Sequence, residues 1–182
     1  ELFGMVEPGT YAMVGHSFGA FSSLIVGGGQ VDMTGAIARC DAGRGRLCSE
    51  IRQISNEDVE AHTMNDDRAV VTVPMSPGIW YAFGPDGLTA PGLEHVRTPL
   101  VLAGDLDAVL RYEEEERPVY EAMGEGKTLA TFHNAGHYGF SDICALAPFL
   151  SDECAGTNDG WMEVDEVQRI TKTITLEERD EE

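Results

Sequence analysis

The segment Gly15-His16-Ser17-Phe18-Gly19 constrains the fold of this chain more than any other feature. It follows the apolar run Tyr11-Ala12-Met13-Val14 and precedes small residues, which predicts a strand, a sharp turn and the start of a helix. This is the setting of a G-x-S-x-G nucleophile elbow, where a strained turn projects a serine hydroxyl. Side chains at positions 15 and 19 are expected to collide with the neighbouring strand and helix. The pattern predicts Ser17 as a nucleophile, with a plain strand-to-helix turn as the alternative.

Two downstream segments place an acid and a histidine after further predicted strands. The apolar run 98–104 is interpreted as a buried parallel strand that ends at Asp105-Leu106-Asp107. The run 127–132 is a second strand, followed by His133-Asn134-Ala135-Gly136-His137. Because ligands of open α/β sheets bind beyond the carboxyl ends of the strands, the serine, the acid and the histidine are expected to share one site.

These segments resemble the α/β-hydrolase superfamily. The likeness rests on the elbow, on Leu102-Ala103-Gly104-Asp105-Leu106-Asp107 and on the run from Asn134 to Cys144, and it covers nearly all of the chain. Within the superfamily the chain is most similar to the dienelactone-hydrolase-like branch, which includes platelet-activating-factor acetylhydrolases and polyester-degrading esterases. Position 17 holds serine where true dienelactone hydrolases carry cysteine. The resemblance implies an α/β fold with a doubly wound, mostly parallel sheet, ester hydrolysis and no cofactor.

The family pattern also selects among the candidate side chains. A glycine shortly before the acid favours Asp107, and Asp105 is interpreted as a turn-capping aspartate. His137 is the expected base, whereas His133 is interpreted as structural and His16 as a packing residue. The Phe18 backbone amide is expected to stabilise the oxyanion. The implied substrate is a small-molecule, lipid or polyester ester, and acyltransferase or haloperoxidase chemistry on the same residues is an alternative.

The position of the elbow leads to an expectation about completeness. In the family several strands and helices precede the elbow, whereas here it lies almost at the first residue. Residues 1–182 are therefore expected to form a single partial domain, the C-terminal part of the sheet without its N-terminal strands. The missing portion would supply a second oxyanion-hole donor, so the isolated chain is expected to be inactive and poorly soluble. A non-catalytic half-domain completed by a partner chain is the alternative.

The net charge of the chain limits the classes of molecule that it is expected to bind. The formal net charge is −20, with acids concentrated in the runs 113–116 and 177–182. Such a surface repels phosphate, which argues against nucleic acid as a partner. The two acidic runs are interpreted as a solvated helix face and a frayed tail rather than a metal site. No stretch is long and apolar enough to predict a membrane span.

The cysteines predict two local disulfides. Cys40 and Cys48 bracket one short loop, and Cys144 and Cys154 bracket another. Four cysteines allow three pairings, and reduced thiols are the alternative. Zinc binding is a weaker interpretation because no C-x-x-C spacing occurs. Disulfides predict a secreted or periplasmic protein.

The remaining segments are less informative. Residues 31–68 are predicted to leave the sheet, with a short helix near 55–63, and residues 68–75 to form a strand. That strand leads into an aromatic loop in which Trp80 either lines an acyl pocket or packs in the core. Helices are expected over about 111–123 and from residue 163.

Overall fold

Four parallel strands form the centre of the fold, in the spatial order β1-β2-β3-β4. The structure is a computed structural model that describes residues 9–45, 48–61, 64–147 and 160–177. The strands are β1 (Tyr11–His16), β2 (Ala69–Met75), β3 (Leu100–Gly104) and β4 (Thr128–Phe132). All four lie where the sequence predicts strands. The protein therefore has the expected α/β architecture.

Seven α-helices accompany the sheet in the described part of the chain. They are α1 (Phe18–Val26), α2 (Met33–Asp41), α3 (Cys48–Ile51), α4 (Asn56–Ala61), α5 (Arg117–Ala122), α6 (Ile143–Leu146) and α7 (Val164–Glu177). Helix α4 corresponds to the predicted short helix, whereas α2 and α3 were not predicted. Asp32 starts α2 by accepting a hydrogen bond from the Thr34 amide, which is an N-cap contact. Because the composition of the segment is polar, its sequence did not indicate a helix at this point.

Both faces of the sheet are buried. Leu102 on β3 packs with Phe132 and Val167, which places α7 against one face. Val101 packs with Leu24 and Val119, which places α1 and α5 against the other. A strand covered on both faces is apolar at every position, as β3 is. Strand β1 lies at one end of the sheet and is the least buried of the four, with Val14 42% exposed.

The parallel registers bring the carboxyl ends of all four strands to one edge. His16 pairs with Met75 across β1 and β2, and Gly104 pairs with Phe132 across β3 and β4. The residues that follow each strand therefore meet at this edge, as the sequence predicts for the serine, the acid and the histidine.

The Cys40–Cys48 disulfide is present and joins the end of α2 to the start of α3. This pairing confirms one of the two predicted bridges. The second, between Cys144 and Cys154, includes a residue outside the described ranges and stays a prediction.

The glutamate run 113–116 differs from the expected solvated helix face. Residues Tyr112–Glu116 form a π-helical turn that continues directly into α5. Glu113 and Glu114 are exposed and pair with Arg117 and Arg111, whereas Glu115 and Glu116 are buried. The expectation was wrong for half of the run, because the wide π turn directs two consecutive side chains inward. Residues 178–182 of the acidic tail lie outside the described ranges.

None of the helices in the described segments is both long enough and apolar enough to cross a bilayer.

Candidate active site

Ser17 occupies a strained turn between β1 and α1. Its φ of 58° and ψ of −118° are values that side-chain-bearing residues rarely adopt. The turn is anchored to the adjacent strand, because the Ser17 amide donates a hydrogen bond to the Met75 carbonyl at 2.9 Å.

The two glycines of the elbow have different roles. A Cβ atom at Gly15 would collide with the backbone carbonyl of Gly19 in the first turn of α1. A Cβ atom at Gly19 would meet no described atom within 4 Å. The sequence expectation of a collision at both positions is therefore right for Gly15 and wrong for Gly19.

The serine, histidine and acid predicted from the sequence are joined by hydrogen bonds. His137 Nε2 lies 2.9 Å from Ser17 Oγ, and His137 Nδ1 lies 2.6 Å from Asp107 Oδ2. Both the Asp107 and the His137 side chains are buried, at 4% and 1% exposure. We call these three residues the Ser17–His137–Asp107 array.

The contacts of Asp107 determine which histidine nitrogen carries the proton. Its Oδ1 accepts hydrogen bonds from the amides of Val109 at 2.8 Å and Leu110 at 2.6 Å. These donors stabilise the carboxylate, which then accepts a proton-bearing Nδ1 of His137 through Oδ2. In this tautomer the Nε2 lone pair faces the Ser17 hydroxyl, as a general base requires.

Asp105 and His133 form a separate pair. His133 Nδ1 lies 2.9 Å from Asp105 Oδ2, and Asp105 Oδ1 accepts the Asn134 amide at 2.7 Å. Asp105 thus ties the turn after β3 to the loop after β4. It does not contact His137, and its partners lie in another loop rather than in its own turn.

His16 contacts the backbone of the array. Because a carbonyl oxygen only accepts, His16 Nε2 donates to the His137 carbonyl at 2.9 Å. Burial, followed by the proximity of His137, lowers the pKa of His16 to about 4. His16 therefore stays neutral near pH 7 and holds the loop that carries His137, a role beyond the predicted packing.

A cavity of about 420 Å³ opens beside Ser17. Its wall is mainly apolar and consists of Phe18, Phe21, Gly78, Ile79, Val109 and Leu110. The Phe18 side chain is 65% exposed and stacks on Phe21, with ring centroids 6.0 Å apart. The Phe18 amide is at the first position of α1, where helix amides have no intrahelical acceptor.

Trp80 does not line this cavity. It lies against a different cavity with Leu88 and Pro118, and its indole nitrogen donates to the Glu114 carbonyl at 2.9 Å. The Arg39 guanidinium is 4.9 Å from the centre of its ring. The neighbouring Ile79, which no sequence pattern singles out, occupies the wall that was expected for Trp80.

Backbone strain extends beyond Ser17. Ser76 and Ile79, in the loop after β2, also have positive φ values of 44° and 60°. The Ile79 amide donates to the buried Glu115 carboxyl at 2.9 Å, which holds this loop against the π turn. Strained residues cluster at functional sites because only an over-determined surrounding structure maintains them.

Within the described ranges, no group of three or more histidine, cysteine, aspartate or glutamate side chains is arranged to hold a metal ion. Comparisons of the chain with models of protein families, with curated proteins and with solved structures found no match.

Proposed function

We propose that this protein is a serine hydrolase that cleaves carboxylic esters, built on a doubly wound sheet of the α/β-hydrolase type. The observation that carries the proposal is the Ser17–His137–Asp107 array, in which His137 and Asp107 are buried and the distances between members are 2.9 Å and 2.6 Å. A serine held at a strained turn and a histidine oriented by a carboxylate are the parts that acyl transfer to water requires.

The proposed reaction has two stages. In the first, His137 Nε2 accepts the Ser17 proton as Ser17 Oγ attacks the ester carbonyl carbon, and the protonated histidine then gives that proton to the departing alcohol. In the second, His137 activates a water molecule that releases the acid and restores Ser17. Asp107 keeps the imidazole in the required tautomer throughout, and the Phe18 amide serves as one oxyanion donor.

The residues that line the cavity favour a substrate with a neutral, apolar acyl group. None of its seven lining residues, which include Ser17, carries a charged side chain. The formal net charge of −20 further disfavours anionic substrates. The Cys40–Cys48 disulfide favours an oxidising compartment, so export to the periplasm or the medium is part of the proposal.

A fluorophosphonate probe tests the proposal, because it reacts covalently with activated serines. We expect the protein to be labelled and to hydrolyse p-nitrophenyl esters. Ser17→Ala should abolish labelling and lower turnover by about 10⁴-fold or more, since such residues act as a unit. Ser22→Ala, one helical turn further along α1, is the matched control and should still be labelled. Labelling that persists in Ser17→Ala would refute the assignment.

A further inference from the structure

Glu116 is a fully buried carboxyl group next to the array, and the mechanism above does not use it. Its carboxyl group faces Asp107, the Ser76 hydroxyl and the Gly104 amide. Neither of its oxygens makes a well-formed hydrogen bond, and the buried Ser76 hydroxyl makes none either. Two polar side chains, Glu116 and Ser76, therefore lie in the interior beside Asp107 without a well-formed hydrogen bond of their own.

The numbers of donors and acceptors indicate how this cluster is satisfied. An ionised Glu116 and an ionised Asp107 are both acceptors only, so two negative charges would face each other in a buried site. Asp107 is the member that three donors stabilise, namely the Val109 amide, the Leu110 amide and His137 Nδ1. A single proton on Glu116 removes the conflict, because it then donates to Asp107 and accepts from Ser76.

We propose that Glu116 is a positioning residue, a neutral carboxylic acid whose proton bonds to Asp107 and fixes the carboxylate that orients His137. The positioning of His137 rests on the proposed function, whereas the neutral state of Glu116 does not. Burial, followed by the negative charge of Asp107, raises the pKa of Glu116 to about 10.

The π turn explains how two consecutive acids reach the site. Glu115 accepts the Ile79 amide in the loop after β2, and Glu116 faces Asp107 after β3. The exposed Glu113 and Glu114 of the same turn pair with arginines at the surface. Such turns occur often at functional sites, since they place side chains where a regular α-helix would not.

The pH dependence of kcat/KM for an ester distinguishes a neutral from a charged Glu116. Glu116→Gln keeps the shape and a donor, so we expect kcat/KM within about threefold of wild type and an unmoved acid limb. If Glu116 were ionised, this substitution would remove a negative charge and shift the acid limb to lower pH, which would overturn the proposal. Glu113→Gln on the exposed side of the turn is the matched control.

A second substitution tests the hydrogen bond itself. Glu116→Met keeps the length of the side chain but cannot donate to Asp107. We expect kcat/KM to fall by about tenfold or more, because a hydrogen bond to a charged group is lost, while Glu116→Gln retains activity. Wild-type kcat/KM in Glu116→Met would contradict a positioning role.

Unfolding by urea tests the neutral acid without any ester. A group whose pKa is raised in the folded state contributes stability below its unfolded pKa, and that contribution is lost as the pH rises toward the folded value. As the pH rises from about 5 to about 8, the urea midpoint of wild type should therefore fall relative to the urea midpoint of Glu116→Gln. The difference between Glu113→Gln and wild type should show no such trend. A constant difference for Glu116→Gln would overturn the proposal. If the trend appears but Ser17 is not labelled by fluorophosphonate, only the proposed function has failed.

Discussion

At the residue scale, the two aspartates after β3 show how a turn separates side chains that a strand would keep together. In an extended strand Asp105 and Asp107 would lie on the same face. The turn begins at Gly104, where the Asp107 amide bonds back to the Gly104 carbonyl at 3.1 Å. Asp105 is thereby directed to His133, and Asp107 to His137. The resemblance of the sequence to α/β-hydrolases favoured Asp107, but the separate partner of Asp105 becomes visible only in three dimensions.

Substitution of each aspartate by asparagine should separate their roles. Asp107→Asn is expected to lower kcat by about 10⁴-fold, because an amide at this position favours the wrong histidine tautomer. Asp105→Asn should leave kcat/KM within a fewfold of wild type and lower the free energy of unfolding by about 1 kcal/mol. Ester kinetics and urea unfolding measure the two effects. If Asp105→Asn lost activity and Asp107→Asn did not, Asp105 rather than Asp107 would be the carboxylate that orients His137.

At the scale of secondary-structure elements, the strand-turn-helix unit is specified by a close approach of its two ends. The angle between β1 and α1 brings the Gly19 carbonyl close to Gly15. A side chain at Gly15 has no room, whereas Gly19 lies where α1 has open space beside it. One glycine of the pattern is thus required by packing, and the other is not required by packing among the described atoms.

The two glycines provide a matched pair of alanine variants. Gly15→Ala should lower the free energy of unfolding by about 1–3 kcal/mol, because the elbow must distort to admit a methyl group. It should also reduce fluorophosphonate labelling of Ser17. Gly19→Ala should leave stability unchanged or raise it by up to about 1 kcal/mol, since alanine is the better helix former. Equal losses of stability in the two variants, measured in urea, would contradict this account of the elbow.

At the scale of the whole molecule, charge is the dominant global property. Twelve basic residues oppose 32 acidic ones, and several of the described ion pairs lie at the surface between neighbours in sequence. Exposed pairs of this kind contribute little to stability. The folded state therefore experiences net self-repulsion, which dissolved salt screens over a Debye length of about 10 Å at 0.1 M.

Salt should consequently stabilise the fold. We expect Tm to rise by several degrees between about 0.02 M and 0.5 M NaCl, as measured by thermal unfolding at pH 7. KCl at the same ionic strength is the control and should give the same increase, because screening depends on ionic strength. A Tm that is constant or falls with added salt would show that self-repulsion does not limit stability.

The sequence by itself determined the four strands, the order of the serine, acid and histidine, and the edge of the sheet where they meet. These follow from local patterns, since apolar runs form buried strands and the ends of parallel strands share one edge. Only the tertiary structure decided the partners of Asp105, the position of Ile79 rather than Trp80 in the wall of the cavity, and the burial of Glu115 and Glu116. A run of four glutamates is typical of a solvated surface, and no local signal reveals that a π turn directs two of them toward distant loops. Which of these groups come into contact depends on how the strands and helices pack. The sequence pattern of one segment does not identify the segments that pack against it.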